Sequence, residues 1–311
     1  MKIIFMGTPD FAVGTLEALV QAGHEITLAV TQPDRPKGRG HAMQLTPVKE
    51  TAQRYGIPVF QPERVRAQEA VERLERTEAD VMVVVAFGQL LPASILHMKK
   101  YGCINVHASL LPSYRGAAPI QWAVINGERK SGVTIMQMDE GLDTGDMLSQ
   151  TVVPLEKEET GGSLFQKLSQ AGARLCVETL EQLEQGTLIP QKQGASPTAY
   201  ASMLTKEMGR IDWSRSAEEV ERLVRGLNPW PSAYTRMGGK TLKVWRCRTI
   251  PDREAKGACG QILSARGDTI EVQTGCGVLE ILELQLEGKK RMDTGAFLRG
   301  YQLEAGTILG E

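Results

Sequence analysis

The feature that most constrains this chain is the regular exchange, along its first half, of short apolar runs with amphipathic stretches of helical length. Runs at 2–6, 26–31, 57–60, 81–85 and 103–107 have the length of strands. Between them lie segments of helical period, such as the one carrying Ala12, Leu16, Leu19 and Val20 before Gly23. Strand, helix and strand in succession close as a βαβ unit, which sets the strands parallel and lays helices against their sheet. Runs at 131–138 and 147–153, joined by 139–146, add two strands, and 162–185 reads as one long helix. Residues 1–189 are therefore expected to form an α/β domain: a Rossmann-like, mostly parallel open sheet with helices on both faces.

Past residue 189 the rhythm changes. Residues 190–206 mix Gly, Ser, Pro, Thr and Lys without period, as a linker does. A helix at 216–227, apolar at Val220, Leu223 and Val224, then precedes alternating strands at 232–249, 259–265, 268–274 and 276–286. That is the pattern of a smaller C-terminal OB-like β-barrel over 207–311. Two domains also suit 311 residues, more than a single core usually organises. No run approaches the roughly 18 apolar residues that span a bilayer, and the start has no signal segment, so the expectation is a cytoplasmic protein without membrane contact. The five cysteines are scattered and never form CxxC, which suits reduced thiols and leaves no metal-ligand spacing.

In open α/β sheets the working residues collect beyond the carboxyl ends of the strands. Two polar clusters fall at such ends, NVHASLLP at 105–112 and GLDTGD at 141–146. The two-residue period of a strand puts Asn105 and His107 on one face, where both can address one substrate, with Asp143 meeting them across the crevice. An amide, an imidazole and a carboxylate, with no nucleophile elbow, suit attack of an amine on a carbonyl-type carbon. Asn105 would donate to the oxyanion, His107 would move the proton, and Asp143 would orient and charge His107 or take the amine proton through water. Singly, each residue has a structural alternative: a satisfied strand-end histidine, a turn-forming asparagine, an aspartate building a turn before Thr144-Gly145. The first turn is no dinucleotide site, because Gly7 and Gly14 lack the GxGxxG spacing and Pro9 removes an amide.

A net charge of −1 hides two basic stretches. Arg35, Lys37, Arg39 and Lys49 stand against Asp34 alone in 31–49, and seven cations stand against Asp252 and Glu254 in 236–256. The stretch QPDRPKGRGHAMQLT at 32–46 is long for a βα loop and suits contact with phosphates, although a solvated surface accounts for the same charges.

The segment NVHASLLPSYRGAAPIQWAVINGE, followed by GVTIMQMDEGLDTGDML, resembles the folate-dependent formyltransferase family, marked by an Asn-x-His pair near SLLP and a distal LDTGD aspartate. The likeness extends through MGTPDFAV, TQPDRPKGRG, NPWPSAY, LKVW and GKKRM over nearly the whole chain. It implies that Asn105, His107 and Asp143 are the catalytic trio and that Ser109, Leu110, Leu111 and Pro112 bind tetrahydrofolate. It places the pterin against the backbone of Phe87, Gly88 and Leu90 and of Gly141 and Leu142; Phe87 stands where family members often have Tyr, which removes a hydroxyl. The implied donor is 10-formyltetrahydrofolate, with no metal. The outer motifs imply that the acceptor is the methionine amine of initiator methionyl-tRNA, a small ribotide or nucleotide-sugar amine being the alternative. Contacts to the tRNA are then expected at Arg35, Lys37 and above all Arg39, and at Lys240, Lys243, Lys289 and Lys290. The same resemblance implies a monomer.

Overall fold

The computed structural model describes residues 1–37, 42–251 and 257–310. In chain order its elements begin with β1 (Lys2–Gly7), α1 (Asp10–Gln21), β2 (Glu25–Val30), β3 (Arg35–Lys37), β4 (Ala42–Gln44), α2 (Pro47–Arg54) and β5 (Val59–Phe60). Then come α3 (Gln68–Arg76), β6 (Val81–Val85), α4 (Ala93–Leu96), β7 (Cys103–His107), α5 (Pro119–Ile125), β8 (Lys130–Gln137), β9 (Met147–Pro154) and α6 (Gly161–Gln185). The chain divides into two compact units: Met1–Pro119, Lys130–Pro154 and Phe165–Ala201 form the first, and residues 120–129, 155–164 and those from 202 onward form the second. The segment 190–201 thus lies within the first unit.

The first unit is built on a seven-stranded sheet in the order β5-β2-β1-β6-β7-β8-β9. The pairs β5–β2, β2–β1, β1–β6 and β6–β7 are parallel, while β7–β8 and β8–β9 are antiparallel. All five residues of β6 are buried, as a strand covered on both faces requires. One face carries Ile4, Met6, Leu28, Val30, Met82, Val84 and Cys103, packed with Leu74 of α3 and Ile95 and Leu96 of α4. On the opposite face α6 comes close at Gly172, where a Cβ would lie 2.9 Å from Val106 Cγ1. Phe11 of α1 meets Phe165 of α6 edge to face at 5.2 Å. Strand order runs outward in both directions from β1 and β6, so the crevice of this sheet opens between the ends of those two strands.

The second unit continues with α7 (Ala217–Gly226), β10 (Ala233–Met237), β11 (Lys240–Ile250), β12 (Ile262–Arg266), β13 (Thr269–Gln273), β14 (Val278–Leu286), β15 (Met292–Asp293) and α8 (Thr294–Gly300). Its antiparallel sheet has the order β10-β11-β14-β13-β12, with β15 on β14. The run 232–249 is two strands, because Gly238 and Gly239, at φ +54° and +75°, make a tight hairpin of backbone angles that side chains disfavour. A capping box starts α7: Glu219 N–H donates to Ser216 Oγ at 3.2 Å, and Ser216 N–H donates to the Glu219 carboxylate at 3.0 Å. The core gathers Trp213, Val220, Val224, Leu242, Val244, Ile270, Ile281 and Leu284, and Trp213 satisfies its buried N–H on Thr235 Oγ1 at 3.0 Å. Among the described residues no helix is long and apolar enough to cross a membrane.

Candidate active site

Strand β7 lies between β6 and β8, with Asn105 opposite Val84 on one side and Met136 on the other, and His107 opposite Thr134. The Asn105 side-chain amide is half-buried and has no hydrogen-bond partner among the described residues, so its donors are available to a bound group. His107 is only 6% exposed, and its Nε2 lies 3.2 Å from the Tyr114 carbonyl oxygen. A carbonyl only accepts, so Nε2 carries the proton of this bond. The nitrogen left to face chemistry is Nδ1, which lies 3.7 Å from Asp143 Oδ1.

That distance is beyond a direct hydrogen bond. The second carboxylate oxygen, Oδ2, accepts the Gly116 N–H at 2.9 Å. Asp143 itself sits at φ +56°, in the left-handed region. Its loop is built by Asp139, whose Oδ1 accepts from the Gly141 N–H at 3.0 Å and from the Thr144 hydroxyl at 2.8 Å. Asn105, His107 and Asp143 thus place an amide, an imidazole and a carboxylate in one unit of the chain. The nearby Cys103 offers no nucleophile: burial pushes its thiol up to about 12.

This arrangement suits acyl transfer to nitrogen, and comparison with known proteins identifies the group that carries it. Residues 1–180 match the Formyl transferase family and 203–302 match Formyl transferase, C-terminal domain. The chain belongs to the formyl transferase family. It is 58% identical over 308 residues to the methionyl-tRNA formyltransferase of Agathobacter rectalis, covering 99% of each chain. Among solved structures it superposes on the N-formyltransferase of Helicobacter canadensis in complex with folinic acid and dTDP-3-aminofucose. The TM-score is 0.69 at 17% identity, over 94% of this chain and 100% of that one. HypX from Aquifex aeolicus in complex with tetrahydrofolic acid gives 0.65 at 20% identity; this chain covers 51% of that longer chain, and 99% of its own length is matched.

In this formyltransferase the segment 109–112 is held from below by Thr134, which was not singled out from the sequence. Leu111 N–H donates to Thr134 Oγ1 at 3.0 Å, the Thr134 hydroxyl donates to the Ser109 carbonyl at 2.7 Å, and Gln150 Nε2 donates to the Leu111 carbonyl at 2.8 Å. Ser109 and Leu111 are buried, whereas Leu110 and Pro112 are half-buried. Only register could reveal Thr134, since a threonine in a strand is otherwise an ordinary β-former. At the switch point, Phe87 is 2% exposed and its ring belongs to the sheet core. Its carbonyl accepts from Thr8 Oγ1 at 3.0 Å and Gln32 Nε2 at 3.2 Å, which fastens the loop that continues into Gly88 and Leu90. Leu90 and Leu142 are 77% and 55% exposed, apolar side chains on two loops of the same unit.

Of the residues expected to meet a polyanion, Arg35 is exposed in β3 and Lys37 ends that strand, while Arg39 lies outside the described residues. Lys49 is committed to an ion pair with Asp34, whose other oxygen accepts from Gln61 Nε2 at 2.8 Å. In the second unit Lys240 and Lys243 lie on β11, and Lys289 and Lys290 lie in the turn between β14 and β15.

Proposed function

We infer that this chain transfers the formyl group of 10-formyltetrahydrofolate to the amine of methionine on initiator methionyl-tRNA, giving the N-formylmethionyl-tRNA used to start translation. The observation that carries the chemistry is the His107–Asp143 pair, with Nε2 fixed on Tyr114 and Nδ1 3.7 Å from the carboxylate. The acceptor follows from full-length likeness to a methionyl-tRNA formyltransferase.

The residues present fit a reduced folate. The exposed Leu90 and Leu142 offer apolar cover for a flat ring, and the loops at 87–90 and 141–142 bring backbone polar groups within the same unit. In the reaction the amine nitrogen bonds to the formyl carbon as the carbonyl becomes an oxyanion. Asn105 donates to that oxyanion. His107 Nδ1 and Asp143 take the proton the amine sheds and deliver it to the departing folate nitrogen as the old carbon–nitrogen bond breaks. Arg35, Lys37, Arg39 and the four lysines of the second unit are the cations offered to tRNA phosphates. The enzyme works in the cytoplasm as a monomer on this reading.

The test is incubation with 10-formyltetrahydrofolate and charged initiator tRNA, in competition with a glycinamide ribotide and a nucleotide amino sugar. Formylmethionine on the tRNA is expected. Preferential formylation of either small amine would replace the acceptor named here.

A further inference from the structure

Residues 181–201 fall between the two spans that match the family, yet they belong to the first unit and reach back into its site. Gln191 exchanges two backbone hydrogen bonds of 2.8 Å with Met147 at the start of β9. Two residues on, Gln193 Nε2 donates to the Asp143 carbonyl at 3.0 Å and to the Gly145 carbonyl at 2.7 Å. Its Oε1 accepts from Arg115 Nε at 3.0 Å and Nη2 at 2.7 Å, and Arg115 Nη2 also donates to the Gly194 carbonyl at 3.0 Å. Only one orientation of the amide works here, because a guanidinium only donates and carbonyls only accept.

The loop needs such a hold. Asp143 keeps a backbone angle of φ +56°, in the left-handed region that L-residues disfavour, and a Cβ on Gly145 would collide with the Gln137 carbonyl. Arg115 adjoins Gly116, whose N–H binds the Asp143 carboxylate at 2.9 Å. One stretch of chain therefore grips Asp143 twice, at its side chain directly and at its backbone through Gln193.

We propose that Gln193, oriented by Arg115, is a positioning residue that sets the Asp143 carboxylate against His107. The proposal rests on the formyl-transfer reading above. Gln193 touches no reacting atom; it acts through the aspartate loop.

The test uses Gln193→Glu, which keeps the Arg115 partner but has no N–H for the two carbonyls, together with Gln193→Ala. In single-turnover formyl transfer each is expected to slow the reaction about 10- to 100-fold, as a misplacement of order 1 Å does, with KM for tRNA within about threefold of wild type. In an Asp143→Asn background the same changes are expected to cost less than about threefold, because the residue they position has already lost its charge. Amide exchange over 139–146 should accelerate in Gln193→Glu whatever amine the enzyme uses. Equal losses in both backgrounds, or unchanged exchange, would overturn the proposal. If wild type formylates no amine while exchange responds, the functional reading fails and the strut stands.

Discussion

His107 Nδ1 faces Asp143 Oδ1 across 3.7 Å while the other ring nitrogen is held by the Tyr114 carbonyl. The neutral ring with its proton on Nε2 would turn a lone pair toward a carboxylate, so the pair is complementary only when the imidazole is charged or when a proton lies between them. On the proposed mechanism, the proton shed by the amine would bridge this gap.

Asp143→Asn tests this with little risk to folding, since asparagine tolerates the left-handed backbone at φ +56° better than most residues and its amide oxygen can still accept the Gly116 N–H. Turnover should fall by about 10²- to 10⁴-fold, the range for a lost acid–base group, with donor and acceptor KM nearly constant. Steady-state kinetics with both substrates varied will decide it, and full turnover in the variant would remove Asp143 from the mechanism.

Asn105→Ala removes a donor that no neighbour among the described residues replaces. If the amide faces the developing oxyanion, kcat drops about 10²- to 10³-fold, with a much smaller change in folate affinity measured by equilibrium titration. A change confined to folate affinity would make Asn105 a binding residue instead.

The contrast between these residues and Thr134 shows what a sequence can disclose. The runs that became β1 and β6 are buried on both faces, as strands covered by helices require, and in β7 the two-residue period aligns Asn105 with His107. The approach of Asp143 depends on the antiparallel turnback of β8 and β9, which no local pattern specifies. Thr134 and Gln193 act by filling hydrogen-bond positions set by register and by a distant segment, and neither residue type is distinctive alone. In the second unit β15 and α8 are short and follow the basic GKKRM turn, so they lack the periodicity that revealed α7.

Thr134→Val deletes a hydroxyl that is fully buried between the Leu111 N–H and the Ser109 carbonyl. Each group left without a partner costs about 1–3 kcal/mol, so urea denaturation should show a loss of roughly 2–4 kcal/mol, while Thr134→Ser retains most of the stability. Folate affinity should weaken in the valine variant because 109–112 loses its support.

Thiol chemistry checks the packing of both units. Cys103, Cys176 and Cys247 are buried, whereas Cys259 and Cys276 are exposed. Burial pushes Cys103 and Cys176 each up to about 12 and raises Cys247 as well. Between pH 7 and 9 these three stay protonated and shielded, so a thiol reagent reaches only the exposed pair. A disulfide-exchange reagent should titrate two thiols in the native protein and five in denaturant; three or more fast native thiols would contradict the burial.

The proposed contact of the second unit with tRNA is tested by salt. Leu242 pairs with Leu286 and Lys243 with Gln285, so the start of β11 and the turn after β14 share one end of the sheet, bringing Lys240, Lys243, Lys289 and Lys290 together. None of the four forms an ion pair among the described residues, whereas Arg291 is bound bidentately to Glu283 at 2.5 and 2.7 Å. Lys243 and Arg291 lie over the Trp245 ring at 5.5 and 4.7 Å, which holds these cations beside an aromatic surface. Unpaired lysines are the ones whose charge remains to displace counterions from a phosphate backbone. Each lysine that contacts a phosphate should, on change to alanine, raise KM for tRNA and reduce the log–log salt slope by about one, leaving kcat and the donor KM unchanged. Arg291→Ala should instead lower the stability of this unit, with a smaller effect on the salt slope, because its charge is already spent on Glu283. If all four lysine variants kept the wild-type slope, the tRNA would have to be held elsewhere.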